Sequence, residues 1–546
     1  MKRKAVAAVL TAVMVASMFT GCGSDNGSSS AKSASAASAA SAANDTVDED
    51  GKVNGIMYQE GLPLVDEGDY TFSIFCDDSS ESGEFIMLDE FKKQTNVDVD
   101  LKIYPYETAT ERLNLDLNSG DYADVIGGWT LSDNAILTYG VNQGVFIPLE
   151  DYFEKYCPNI SAILDLPGVR EKMTAPDGHI YTIPYVCTDT TVGYSPYINT
   201  KWLENVGMSM PTTTDEFEAV LKAFKEQDAN GNGDASDEIP FSTDPNNKHI
   251  EAMAGYFGLP MNKLGIAIQN EKVVYGGVSD TYREFLSWLH KLYAEGLVDV
   301  ELYTQDSSTW EGKGNQDLYG VSIAYGSNEF TGIPAAEERG DFDSMPVLNT
   351  DKDGIWLRDT EGFSVYRTQA VITNKAEHPE IICRWFDNAF ALENGIGCNR
   401  GPVGVIVNKE DDGYHAIDTT TLSEEDQEKY SWGNLWPQSL PKYLPVDFEF
   451  VEEHPMYDEK KATEEAYEAN LTKEIIPSYW IDLDKIDTFS DTNTAIKDFF
   501  EQQQAQFVCG ELDIDNDADW QAYVDGMYSL GLEDWVATQG IEEIAK

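Results

Sequence analysis

The densest run of side-chain oxygens in the chain is Asp228-Ala-Asn-Gly-Asn-Gly-Asp-Ala-Ser-Asp-Glu238. Asp228, Asn230 and Asn232 alternate, Gly233 permits a bend, and Asp237 and Glu238 close the run. Calcium gathers about six to eight oxygens around one point. Alternate positions of a tight loop point inward, and Asp234 adds its backbone carbonyl, so the spacing predicts a structural Ca2+ site. The match to an EF-hand loop is incomplete, because its twelfth position is Ile239. Which of Asp237 and Glu238 closes the site stays open. The competing reading is a solvated acidic turn.

A second group of residues suits a ligand with apolar faces and many hydroxyls. Tryptophan and tyrosine rings stack on the CH faces of sugars, and Asp, Asn and Arg bind their hydroxyls. Trp129, Tyr194, Tyr325, Arg400, Trp432 and Trp436 all fall in loops or at strand ends, and Asp78 ends the first strand. These seven form the candidate ligand-binding set. For Trp129, which follows Gly127 and Gly128, the alternative is a ring that caps the core. For Asp77 and Asp78 it is a helix cap. No GxSxG, HExxH or glycine-rich phosphate loop occurs, so no catalytic residue is assigned. The abundance of carboxylates leaves an exported carbohydrate-cleaving enzyme as a second hypothesis. A surface receptor that adheres or signals without import is a third.

The elements that must position these residues are legible from periodicity. Tyr70–Cys76 alternates like a strand, and Glu84–Lys93 has a helical apolar face. Val97–Ile103 alternates again, Ala109–Asn118 is helical, and Ala123–Ile126 is a short buried strand. This β-α-β-α-β order predicts a parallel sheet, whose ligands sit outside the carboxyl ends of its strands. The stretch Asp177–Leu203 starts in an Asp-Gly turn, runs extended, and enters a helix at Thr200. It reads as the passage from one lobe to a second. Thr213 and Glu216 fit a capping box for the helix that leads to Asp228. Further on, Tyr282–Gly296 and Pro379–Leu392 are helical, Val321–Tyr325 and Val365–Ile372 are extended, and Gly395–Gly404 is a glycine-rich loop carrying Arg400. The tail is helical over Thr494–Val508 and again around Trp520, Tyr523 and Met527.

Composition narrows the partners. The 546 residues carry 37 basic and 97 acidic side chains, a formal net charge of -60. That field repels nucleic acid and anionic membrane surfaces. Lys2, Arg3 and Lys4 precede an apolar run from Ala5 to Phe19, too short to span a bilayer, and Thr20-Gly21-Cys22 follows. This pattern resembles a lipoprotein signal, with Cys22 as the lipidated first residue. The Ser-, Ala- and Gly-rich run after it reads as a flexible tether with a reach of roughly 30–40 Å. Six other cysteines are scattered without metal spacing, and the sequence declares no disulfide framework.

In order along the chain stand several segments of one family's habit. They are the lipobox and tether, NSGDYADVI, GVFIPLEDYFEKYCPNI, DGHIYTIP before YINTKWLENVG, and PTTTDEFEAVLKAFKEQDANGNG before DEIPF. HPEIICRWFDNAF and FVCGELDIDNDADWQAYVDGMYSLGLEDW complete them. With these the chain resembles the extracellular solute-binding proteins of family 1, the lipoprotein receptors of oligosaccharide ABC importers in Gram-positive bacteria. The resemblance implies an α/β, type II periplasmic-binding-protein fold. Two α/β lobes flank a ligand cleft, and a helical C-terminal extension follows. It implies permease partners, an oligosaccharide ligand, a lipid-anchored monomer on the outer face of the cell membrane, and in some members a calcium loop at Asp228–Glu238. The expected segments are a signal peptide over 1–21, tether over 22–66, lobe 1 over 67–185, lobe 2 over 186–362, a return to lobe 1 over 363–430, and a C-terminal helical part over 431–546.

Overall fold

The computed structural model describes residues 45–545 apart from 79–83, 245–248, 333–340, 418, 446–447, 449 and 452–454. The signal segment, Cys22 and the tether up to residue 44 lie outside the described residues.

Tyr70–Asp77 (β1) alternates, as its sequence requires, between Phe72 and Ile74 on one face of a sheet and Phe75 on the other. Helix α1 (Ile86–Thr95), strand β2 (Val97–Tyr104), helix α2 (Tyr106–Ser119) and strand β3 (Val125–Gly127) follow. β1 runs parallel to β2 with Tyr70 opposite Val97, and parallel to β3 with Ile74 opposite Val125. The chain returns to this sheet as β4 (Thr182–Thr188) and then crosses to a second sheet.

The second sheet begins with β5 (Ser195–Asn199), whose last residue caps helix α3 (Thr200–Val206) through the Trp202 N–H. Helix α4 (Thr214–Glu226) is capped by the Thr213 hydroxyl, which accepts the Glu216 N–H at 3.2 Å. The Glu216 carboxylate turns back to the N–H and hydroxyl of Thr212, not to Thr213, so the reciprocal bond is shifted by one residue. β6 (Ile239–Thr243), α5 (Asp280–Ala294), β7 (Tyr319–Ala324) and β8 (Phe342–Ser344) complete the lobe. Its strand order is β8-β5-β7-β6.

Strand β9 (Phe363–Ile372) carries the chain back and inserts antiparallel between β3 and β4, giving the order β2-β1-β3-β9-β4. Phe72, Phe91, Trp385 and Trp436 fill one face of this sheet, and Phe75, Ile126, Leu137 and Val371 fill the other. Helices α6 (Pro379–Ala389) and α7 (Leu392–Arg400) follow β9. The expected glycine-rich loop is therefore helical through Arg400. Gly395 and Gly397 serve close packing: a Cβ at Gly395 would overlap the Tyr443 carbonyl, and one at Gly397 would lie 2.5 Å from the Met87 methyl.

The C-terminal part includes α8 (Pro455–Tyr467), α9 (Ile486–Cys509) and α10 (Asp517–Ser529). Phe500, Phe507 and Tyr523 from this part join Trp202, Phe217 and Phe285 in the second lobe's core. Residues 45–66, expected to extend the tether, instead pack on the first lobe. Val53, Met57, Leu64 and Val65 are buried there, and Arg384 donates to the carbonyls of Tyr58 and Gly61. Among the described residues no helix is long and apolar enough to cross a membrane.

Candidate ligand-binding site

The end of β1 anchors two tryptophan-bearing loops. The Asp77 carboxylate accepts the backbone N–H of Trp129 at 3.0 Å and of Thr130 at 2.6 Å. Burial holds this carboxyl above the usual range, and those donors pull it back down. Gly128 makes the approach possible: its φ is +132°, and a Cβ there would overlap the Asp77 carboxylate. The result is a Trp129 ring left 47% exposed. Its edge meets Tyr366 on β9 at 5.3 Å and Tyr185 on β4 at 6.4 Å, and those two tyrosines stack on each other at 5.4 Å.

Asp78 accepts the Gln438 N–H at 2.7 Å and is buried. The Gln438 side-chain amide in turn donates to the carbonyls of Trp432 and Trp436. Asp78, expected to meet ligand, is thus a buried loop anchor. Trp432 is 54% exposed, with the Lys442 ammonium 5.4 Å from its ring. Trp436 is a correction: it is fully buried, stacked on Trp385 at 5.7 Å and tilted against Phe91 at 5.2 Å. Its indole N–H donates to the Leu440 carbonyl, so ring and donor are both spent inside the core. Arg400 ends α7 with its guanidinium 5.8 Å from the Phe450 ring.

Asp189, just past β4, joins the two lobes' phenols. It accepts the hydroxyls of Ser364 at 2.5 Å, Tyr366 at 3.5 Å and Tyr325 at 3.3 Å, and the Thr190 N–H at 2.8 Å. Tyr325 follows β7, meets Tyr194 edge-on at 5.9 Å, and has its N–H bonded to Glu329. Tyr194 stacks flat on His249 at 4.0 Å, and burial lowers that imidazole to about 4, so the ring is neutral at pH 7. Trp129, Tyr194 and Tyr325 therefore belong to one run of contacts through Tyr366 and Asp189, while Trp432 shares with Trp129 the β1 strand end. Sequence reasoning missed Tyr185, Tyr366 and Asp189. Tyr185 and Asp189 lie in the stretch read as the passage between lobes, and Tyr366 in a segment read as a return crossing, so position alone marked them.

In the loop after α4, the Asp228 carboxylate accepts the Gly233 N–H and Glu238 accepts the Ala229 N–H, both at 2.9 Å. The second oxygen of each, Asp228 Oδ1 and Glu238 Oε2, is buried without a hydrogen-bond partner among the described residues. Asp237 is engaged by the side-chain amides of Asn230 and Asn232. Asn232 and Asp234 accept backbone N–H groups that tighten the turn. Two buried, unpartnered carboxylate oxygens in one loop are what a hard cation would satisfy. Separately, Glu410, Asp412 and His415 bring ligand atoms within 4.8 Å of one another on a surface hairpin, a possible acidic metal site.

Two α/β sheets, crossing strands between them and aromatic rings at the crossing form the frame of a two-lobed binding protein. Residues 78–395 match the family model of the bacterial extracellular solute-binding proteins. The chain belongs to this family. A solute-binding protein of this kind serves ABC transport, and the alternative of an enzyme is not favoured. Among its relatives is the fructooligosaccharide ABC transporter substrate-binding protein FusA of Streptococcus pneumoniae serotype 4, 31% identical over 411 residues, 73% of this chain and 70% of FusA. A solved structure of an EF-hand mutant of S. pneumoniae FusA with fructo-nystose superposes with a TM-score of 0.74 at 27% identity, covering 86% of this chain and 98% of that one. Lipoprotein LipO of Bacillus subtilis is 28% identical over 280 residues, half of this chain and 52% of LipO. For a solute-binding protein, the geometry supplies ring faces and edges on both lobes with a carboxylate between them, a set suited to recognition.

Proposed function

We propose that this solute-binding protein captures an oligosaccharide between Trp129 on the first lobe and Tyr194 and Tyr325 on the second, and delivers it to ABC permease subunits. The observation that carries this reading is the half-exposed Trp129 ring on its Asp77–Gly128 pedestal, edge-on to Tyr366 and Tyr185. A large apolar ring kept in solvent by buried polar contacts has a use outside the core. Trp432 extends the aromatic surface, and Arg400 offers a cation nearby. The sugar bound by FusA supports the same ligand class. Lipidation of Cys22 anchors the protein as a monomer to the outer face of the cell membrane.

Asp228 and Glu238 would hold Ca2+ through their unpartnered oxygens, with Asn230, Asn232, Asp237 and the Asp234 carbonyl completing the shell. The EF-hand named in FusA supports this assignment. The ion would neutralise the loop's carboxylates and fix the turn after α4.

The test is calorimetric titration and thermal shift with defined neutral oligosaccharides, fructo-nystose among them. At one hundred times its Kd a true ligand adds about 2.7 kcal/mol of stability. Measurable turnover of the same glycans, or no binding across the panel, would sink the reading.

A further inference from the structure

Helix α8 reaches from the C-terminal part into the second lobe and bolts down the loops that carry Tyr194 and Tyr325. Glu459 accepts the N–H and hydroxyl of Ser327, two residues after Tyr325. Glu464 accepts the N–H and hydroxyl of Thr191, three residues before Tyr194. Lys460 lies between these two carboxylates along the helix and is 3% exposed. Its ammonium donates to the Gly193 carbonyl at 2.7 Å and sits 3.7 Å above the centre of the Tyr325 ring. The N–H of Gly193 is held by Asp359 at 2.7 Å, so the residue before Tyr194 is pinned from both sides.

We propose that Lys460 is a positioning residue for the ligand: it touches the face of the Tyr325 ring and, through the Gly193 carbonyl, holds the backbone from which Tyr194 projects. The proposal rests on the sugar-binding reading of the cleft. A neutral side chain of the same length would fill the space. The charge is what the carbonyl and the ring face use. It is also expensive in this place, because the ammonium has no carboxylate within salt-bridge distance among the described residues. The groups that face it are Glu459 on its own helix, Glu329 after β7, Asp189 after β4, Asp359 ahead of β9, and the rings of Tyr325 and Tyr197. Burial outweighs those carboxylates and lowers Lys460 to about 8. The charge behind the positioning contact is therefore largely present at neutral pH and fades as pH rises through that value.

A brace that only stabilised the fold and a positioning charge predict opposite pairings of stability and affinity. Replacing a buried charge by an apolar chain of similar length removes its desolvation cost. Lys460→Met should keep or raise the melting temperature while weakening fructo-nystose binding by about tenfold or more. Wild-type affinity should fall by a similar factor between pH 7 and pH 9.5, and the Met variant should show no such fall. Lys460→Gln, which keeps a donor for Gly193 but no charge for Tyr325, should bind weakly and be equally flat with pH. Affinity within twofold of wild type in either variant overturns the proposal. So does a loss of melting temperature that parallels the loss of affinity, or a pH decline that persists in Lys460→Met. Trp129→Ala is the control for the cleft itself: if it binds normally, or if wild type binds no sugar tested, the cleft reading falls and this inference falls with it.

Discussion

Gly128→Ala tests how the Trp129 ring is held. The added methyl would overlap the Asp77 carboxylate, and the position has φ +132°, where an L side chain is strained. Asp77 must swing away and give up at least one of its bonds to Trp129 and Thr130. A hydrogen bond to a charged group is worth about 1.5–3 kcal/mol, and the backbone strain adds about 1–3 kcal/mol. The first lobe should lose about 3–5 kcal/mol of stability. Displacing a stacking ring should also weaken sugar binding by about 1–3 kcal/mol. Trp129→Ala separates the two effects. Its ring is 47% exposed and meets Tyr366 and Tyr185 edge-on, so stability should stay near wild type while affinity falls. Denaturant unfolding and calorimetric titration of both variants would read this out. A destabilised Gly128→Ala that binds sugar normally would refute the pedestal, because Trp129 would then find its place without Asp77.

Three further outcomes follow from the same structure. Chelation should lower the melting temperature and leave sugar affinity nearly intact, Asp228→Ala should reproduce the shift and abolish any added effect of chelator, and no calcium uptake by calorimetry would count against the loop assignment. Trp436→Ala should cost about 3–5 kcal/mol of stability as a core cavity, with binding by the protein that still folds unchanged; a selective loss of affinity would return this ring to the cleft. Burial raises Glu329 to about 7 and Asp359 and Asp387 to about 6. Each holds its proton more tightly folded than unfolded, so its stabilising contribution is full near pH 4 and is lost as pH climbs through 6–7. His249, lowered to about 4, opposes them as one group. The melting temperature should therefore be higher at pH 5.5 than at pH 8, and the reverse order in a buffer scan would contradict the burial of these three carboxyls.

Much of the frame was legible because its signals are local. Alternation in Tyr70–Cys76 and Val97–Ile103 and the Thr213 cap are each decided within a few residues. The cleft was legible only in outline. Trp129 and Trp436 look alike in sequence, both beside turn-forming residues. What separates them is whether a distant surface, here Trp385 and Phe91, covers the ring. The glycines of α7 misled for a related reason. They signal a loop unless Tyr443 and Met87 are known to press against them. Asp189 and Lys460 left no local signal, since their roles arise from contacts across more than a hundred residues. Residues 45–66 continue the tether in the sequence without a clear apolar period, yet Val53, Met57, Leu64 and Val65 find the first lobe's core.

The insertion of β9 between β3 and β4 sets an order of assembly for a chain that emerges from its N-terminus. By the time Ser344 has appeared, every strand of the second sheet exists, although that sheet begins more than a hundred residues later than the first. The first sheet is still in two pieces, β2-β1-β3 and a lone β4, with facing edges open. Only when residues 363–372 arrive can they be joined, and the ring pair Tyr185–Tyr366 beneath Trp129 comes into being in the same event. Pairings this distant in sequence form slowly, and open strand edges invite wrong partners while they wait. The sheet encoded first is the sheet closed last, and the ring pair that meets Trp129 exists only once that closure has happened.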